Sequence, residues 1–225
     1  MFQLDLFLQA IFSAPLFKGA LLTIGLSLCV MAVSLVLGMG LGSMAGSPRP
    51  AVRWLVTLYV WLFRGAPALL VLLFVWNGLP QISEIFRAGW FTPFVAAFLA
   101  LSLIQIAYLA EILRSAFAAV GHGQREGAAA LGMHRWQIFL VITMPQALRI
   151  AVPALMNEFI SLLKTTSLAT VISLKELMTV SQFAIATSFR FLEWYGAALA
   201  YYLVIVSVLT LAQNRIEHVL SRGYR

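Results

Sequence analysis

Glu158, with Asn157, Ser161 and Thr165 around it, and Arg64 far from it in the chain are the side chains best suited to hold a charged solute. They lie in strongly apolar stretches, where a charge at mid-bilayer costs at least about 2.5–3.5 kcal/mol. On a helix, Ala151, Ala154, Glu158, Ser161, Leu162 and Thr165 fall near one face. That face is small and polar enough to line a path. Glu158 can accept a charge-assisted hydrogen bond from an ammonium group or a cationic side chain. Its other reading is a structural ion pair with Arg64 or Arg149. The Arg64 guanidinium matches a carboxylate through paired bonds; snorkelling, or a pair with Glu111, competes with that role. Glu111 and Arg114 are three apart and can pair with each other. Arg149 stands four residues beyond Pro145, at an edge, and Lys164 reads as snorkelling outwards.

The rest of the chain offers no catalytic set. No His/Cys cluster has metal-ligand spacing. The lone Cys29 can form no intrachain disulfide and reads as packing. Lys18, Lys164 and Lys175 follow Phe, Leu and Leu, so the Gly-Lys of a P-loop does not occur. No enzyme, resident metal or cofactor is expected.

The elements that must position these residues follow from composition. Of 225 residues, 62% are hydrophobic and 10% charged. A soluble domain carries about 45–50% apolar and about 25% charged residues. A soluble enzyme and a disordered chain are both excluded, and lipid is the expected solvent. The net charge of +7 is too dispersed for a nucleic-acid face. Residues 19–48, 88–110 and 194–214 carry no Asp, Glu, Lys or Arg. Two interrupted apolar stretches run from Trp54 to Trp76 and from Ile138 to Leu163. The expectation is an all-α membrane protein of five transmembrane helices.

Five crossings put the termini on opposite sides. Arg49, Arg53, Arg114, Arg125, Arg135, Arg215, Arg222 and Arg225 fall on one side, and Lys18, Arg87, Lys175 and Arg190 on the other. The basic side is the cytoplasmic one, so the N-terminus is expected outside and the C-terminus in the cytoplasm. Residues 1–18 lack the basic start of a signal peptide. Phe2, Leu4, Leu6, Phe7, Leu8, Ile11 and Phe12 there fit a short interfacial helix. Gly38, Gly40, Gly42 and Gly46, with Ser34 and Ser43, allow close helix approach.

Residues 114–137 form the longest cytoplasmic stretch. Within 121–137, Arg125, Glu126, Gly127, Ala128, Ala129, Ala130, Leu131 and Gly132 read as a short helix ended by glycine. Its small residues admit a partner's groove; a solvated turn is the alternative.

Glu126 to Gly132, followed by Ile138 and Met144-Pro145, resembles the E-A-A…G…LP signature of permease subunits of bacterial ABC importers. Gly127 replaces the first alanine, at roughly 1 kcal/mol of helix propensity. Phe63-Arg-Gly-Ala-Pro67 resembles the FRGTP run of the polar-amino-acid permeases, and Ala107 to Arg114 their AYxAEIxR run. Pro145 to Arg149, Pro153, Asn157 and Leu163 to Leu168 continue in order, so the likeness covers roughly residues 15–220. Thr165 stands where related permeases commonly carry Asp.

The resemblance implies one permease domain over 1–225, of type I importer architecture. It also implies an ATP-driven import of a polar amino acid or a related compound such as an opine, by alternating access in the bacterial inner membrane. The implied partners are an ATP-binding subunit dimer, a second permease subunit, identical or homologous, and an external solute-binding protein, besides membrane lipid. ATP and Mg²⁺ belong to the ATPase, and 126–132 is the coupling helix seated in it. An ion-coupled secondary transporter is the alternative, although such carriers often show internal repeats and none is visible here. A membrane enzyme or assembly factor lacks a catalytic constellation to support it.

Overall fold

Helix breakers at the ends of apolar runs set nearly every turn of this chain. The computed structural model describes residues 2–221; Arg222 and Arg225, counted above for orientation, lie outside the described residues. Helix α1 covers Leu4–Ile11 and α2 covers Ala14–Met44. The Ser13 hydroxyl accepts from the Leu16 N–H at 3.4 Å, and Pro15 sits in the first turn of α2, a start that both residue types favour. Helix α3 covers Pro50–Gly65. Then α4 (Ala68–Leu73) runs through a π-type turn, Phe74–Gly78, into α5 (Leu79–Ile82).

Helix α6 covers Pro93–Ala119, and Thr92 caps it. Two short helices follow, α7 (His122–Ala130) and α8 (Arg135–Gln137). A π-type turn at Ile138–Thr143 leads into α9 (Met144–Thr165) and a 3₁₀ turn at Thr166–Ile172. Helices α10 (Leu177–Ser188) and α11 (Phe191–Ser221) complete the chain.

Among the described residues four stretches are long and apolar enough to cross a membrane: Ala14–Met44, Pro93–Ala119, Arg135–Ile172 and Phe191–Val219. The fifth is the pair Pro50–Gly65 and Ala68–Ile82, bent by 101°. The second span is therefore broken rather than straight. Pro67 explains the break: it donates no hydrogen bond and drives the residue before it out of the helical region. Ala66 and Pro67 are accordingly extended, with ψ of 133° and 129°.

The centre of the fold is α6. In its most apolar window 61% of residues are buried, against 11% in that of α11, so α11 is a peripheral helix. Leu26 and Val30 of α2, Leu72 of α4 and Leu101 of α6 share one core with Leu162 of α9. The approach of α2 to α6 rests on two of the four glycines. A Cβ on Gly42 would stand 2.8 Å from the Ala110 carbonyl oxygen, and one on Gly38 3.0 Å from Leu109 Cβ. Gly40 faces open space, and Gly46 has only a distant neighbour. Small residues matter here because two backbones touch. Cys29 points outward rather than into this packing.

Helix α1 is tied to α11. The Gln3 N–H donates to Glu193 Oε1 at 3.0 Å, and the Tyr201 hydroxyl to the Ile11 carbonyl at 2.7 Å. Nearby, the fully buried Glu176 precedes α10. Its carboxylate accepts from the N–H groups of Met178 (3.0 Å) and Thr179 (2.7 Å), the Thr179 hydroxyl (2.9 Å) and the Tyr202 hydroxyl (3.2 Å). Burial pushes this carboxyl above the usual carboxylate range, and those donors hold it back in part.

A raised carboxyl pKa means that the folded chain binds the proton more tightly. The stabilisation is complete below the ordinary value of 4.5 and is lost as pH rises through the folded value. Thermal unfolding in neutral detergent is expected to show that loss for the wild type. Glu176→Gln is expected to flatten it, and Glu176→Ala to cost about 1–2 kcal/mol through the lost cap. An equal pH slope in wild type and Glu176→Gln would remove the assignment.

Candidate translocation site and coupling segment

Helix α9 carries the expected polar face. Pro153 lies inside it and cannot donate to the Arg149 carbonyl, which weakens the ladder one turn before Glu158. Glu158 is half-buried and faces α6. Among the described residues the ion pairs are Glu84–Arg87, Glu111–Arg114 and Glu193–Arg190, so Glu158 pairs with neither Arg64 nor Arg149.

The residue that meets Glu158 is Gln105 of α6. It is 3% exposed. Its side chain reaches the Glu158 carboxylate, yet its Nε2 finds no acceptor in hydrogen-bonding geometry. A buried amide donor without a partner is costly, and a solute bound at Glu158 would supply one. Arg64 ends α3 immediately before the bend. Its guanidinium lies over the Tyr108 ring, 5.4 Å from the centroid, a favourable cation–π placement. Its charge acts on Glu158 and on Glu111 without an ion pair to either. The Tyr59 hydroxyl donates to the Leu103 carbonyl at 2.8 Å and pins the same end of α3 to α6. Gln105, Tyr108 and Glu111 recur at every third residue, along one side of α6.

Below Glu158 the same α9 face borders a cavity of about 300 Å³ between α6 and α9, lined by Glu111, Ser115, Ala151 and Ala154. Glu111 is engaged by Arg114 through Nε to Oε2 at 2.9 Å and Nη2 to Oε1 at 2.5 Å. The i,i+3 pair expected from the sequence is therefore formed. Above Glu158, the Thr165 hydroxyl donates to the Ser161 carbonyl at 2.9 Å. Thr165 is half-buried and Ser161 exposed. Asn157 turns elsewhere: its Oδ1 accepts from Gln213 Nε2 at 3.3 Å and ties α9 to α11. The structure thus gathers Glu158 and Arg64 around α6, leaves Ser161 and Thr165 one and two turns further along α9, and directs Asn157 to another helix.

Gln105 and Tyr108 were not singled out from the sequence. A signal existed for the first: Gln105 is the sole amide in the charge-free window 88–110.

The segment 121–137 forms α7 with a full Schellman close. The Gly132 N–H donates to the Ala129 carbonyl and the Met133 N–H to the Ala128 carbonyl, at 3.0 and 3.2 Å. Gly132 has φ of +80°, which glycine alone adopts freely. Ala128 is buried and anchors the helix, whereas Glu126, Gly127, Ala129 and Ala130 are exposed. Leu131, 85% exposed, and Trp136, 67% exposed, stand beside them. Arg125 bends inward, and its Nη2 donates to the Phe117 carbonyl at 2.5 Å.

Comparison with known proteins places these features. Residues 38–225 match the family described as binding-protein-dependent transport system inner membrane component. The chain is 33% identical over 204 residues to the probable amino-acid permease protein YxeN of Bacillus subtilis (strain 168), covering 91% of this chain and 90% of that one. It is 34% identical over 206 residues to the glutamine transport system permease protein GlnP of Escherichia coli (strain K12), covering 90% and 91%. Its fold matches a crystal structure of an amino acid ABC transporter with histidines at a TM-score of 0.82 and 29% identity, over 91% of this chain and 93% of that one. A chain of the MetNI methionine ABC transporter, at 18% identity and a TM-score of 0.76 over 92% and 99%, shares the fold. The architecture is thus that of the type I ABC importer permeases. The chain belongs to the family of inner-membrane components of binding-protein-dependent transport systems, multi-pass permease subunits that work with a binding protein and a separate ATPase.

Proposed function

We propose that this chain moves a polar amino acid, or a related compound such as an opine, inward across the membrane by alternating access. The observation that carries this reading is the polar cluster packed against α6: Glu158 of α9, half-buried and in none of the ion pairs among the described residues, Gln105 with a buried orphan donor, and Arg64 of α3 held on Tyr108. An α-amino acid offers an ammonium for Glu158, an acceptor for Gln105 and a carboxylate for Arg64. Relatives named as amino-acid and glutamine permeases support the substrate class.

The N-terminus lies outside and the C-terminus in the cytoplasm. Supporting this, the ends of α2 and α6, α7 and the start of α8 gather around one cleft that holds Arg114, Arg125 and Arg135. At the other end, Gln3 meets Glu193. One copy supplies five spans, and a second permease, identical or homologous, completes the pathway. Two ATP-binding subunits bind ATP and Mg²⁺ and seat α7, and this chain holds no cofactor. An external binding protein delivers the solute. ATP binding closes the ATPases, α7 moves with them, and the helices around Glu158 reorient.

The test is purification followed by reconstitution. An ATPase is expected to copurify, and a loaded binding protein to stimulate ATP hydrolysis. Uptake by this chain alone on a proton or sodium gradient would overturn the reading in favour of a secondary carrier.

A further inference from the structure

A second cavity, of about 560 Å³, opens at the end of the bundle that holds α7. Its walls come from the C-terminal ends of α2 and α6 and the start of α9's span. Three guanidinium groups line it, those of Arg114, Arg125 and Arg135, with Ser43 and the rings of Phe117 and Phe139 between them. Glu111 neutralises Arg114. Arg125 and Arg135 form no ion pair among the described residues. Arg125 spends Nη2 on the Phe117 carbonyl, and its Nε is buried with no partner among the described residues. The cleft therefore holds two uncompensated positive charges and an orphan donor beside apolar walls. The proposed function uses this cleft only to orient the bundle and gives it no ligand, and the outward face of α7 is a different surface: Glu126, Gly127, Ala129 and Ala130 are exposed, while Arg125 turns towards the bundle.

We propose that this cleft binds a phosphate-type anion, the phosphodiester headgroup of an anionic lipid whose acyl chains run along the apolar wall. Guanidinium groups suit phosphate oxygens through paired bonds. Basic recesses between membrane helices at the cytoplasmic surface are suited to such headgroups. The walls favour lipid over a soluble anion, since Phe117, Ile138 and Phe139 give an acyl chain a surface and give free phosphate nothing. Assigning this end to the inner leaflet rests on the orientation proposed above; the chemistry of the cleft does not.

The experiment is native mass spectrometry of the full transporter, released from phosphatidylglycerol or from phosphatidylcholine. Inorganic phosphate, added in a thermal-shift series, forms a third arm. Wild type is expected to retain phosphatidylglycerol about tenfold better than phosphatidylcholine, and Arg135→Gln to lose about fivefold of that retention, the worth of one guanidinium near a charged headgroup. Arg135→Lys should recover most of it. Arg215→Gln, which removes an exposed charge outside the cleft, should leave it unchanged. Phosphate that protects wild type but not Arg135→Gln, with no lipid retained, supports the anion site and assigns it to a soluble phosphate. Equal retention of the two lipids, or an equal loss in Arg215→Gln, overturns the proposal. So does an Arg135→Gln variant that sheds the ATPase with lipid retention unchanged, which would give the cleft to the protein interface. Failure of amino-acid transport bears on the preceding section and leaves this binding measurement intact.

Discussion

Replacing Glu158 by glutamine is expected to raise the KM for uptake by about tenfold to a hundredfold, the worth of one hydrogen bond to a charged group. The substitution keeps the volume and the hydrogen-bonding reach of the side chain and removes its charge. The structure gives that charge only the Gln105 amide beside it and the more distant Arg64. Among the described residues no ion pair reaches Glu158, and the neighbouring Gln105 Nε2 is left without an acceptor in proper geometry. A carboxylate held only for packing would lose nothing when neutralised, and the chain would gain stability, since burying a charge in an apolar bundle is unfavourable. The two roles therefore predict opposite results. A binding role raises KM, and a packing role leaves KM unchanged and raises the unfolding temperature. Thr165→Asp, two turns along the same face, supplies a second negative charge. It is expected to shift uptake towards arginine over a neutral polar amino acid. Arginine preference that is already strong in wild type and unmoved by Thr165→Asp would sink the idea that Thr165 sets the charge of the substrate.

Much of this arrangement was legible because charge is scarce in the chain. With 10% charged residues, each one within a span stands out, and Glu158, Arg64 and the Glu111–Arg114 pair were found by that route. One helix end was legible for a similar reason, because Gly132 forces local geometry whatever the tertiary context.

Neutral polar groups were harder. Gln105 and Tyr108 sit in a window that scores as plain apolar helix, and their significance comes from what α9 and α3 bring opposite them. Asn157 shows that sequence neighbours can diverge in space. It stands next to Glu158 in the chain, but neighbours on a helix point about 100° apart, and it meets Gln213 of α11. Likewise, four glycines in α2 look equivalent as letters, while only Gly38 and Gly42 stand where the backbone of α6 touches. The break at Ala66–Pro67 has a local cause in Pro67. Its angle of 101° is a property of the folded pair of helices that no single residue specifies.

Reversing the charge of Glu126 should have the second large effect, and at a distance from the substrate. Glu126→Arg is expected to weaken association with the ATPase subunits by at least about tenfold, as replacing one member of a charge pair across an interface does. Transport should fall with it. The folded state has no stake in the residue: Glu126 is exposed and makes none of the ion pairs among the described residues. The shape of α7 is set instead by Ala128 packing inward, by Arg125 on the Phe117 carbonyl and by the Schellman close at Gly132. The variant should therefore unfold at the wild-type temperature in detergent while losing its ATPase on a sizing column. The exposed Leu131 and Trp136 beside it give the partner an apolar foothold, so Glu126→Ala, which removes charge without reversing it, should associate at an intermediate level. A Glu126→Arg variant that keeps both its ATPase and its transport would strip α7 of the coupling role. One that keeps the ATPase but hydrolyses ATP without moving solute would retain that role and place Glu126 in transmission of the stroke rather than in docking.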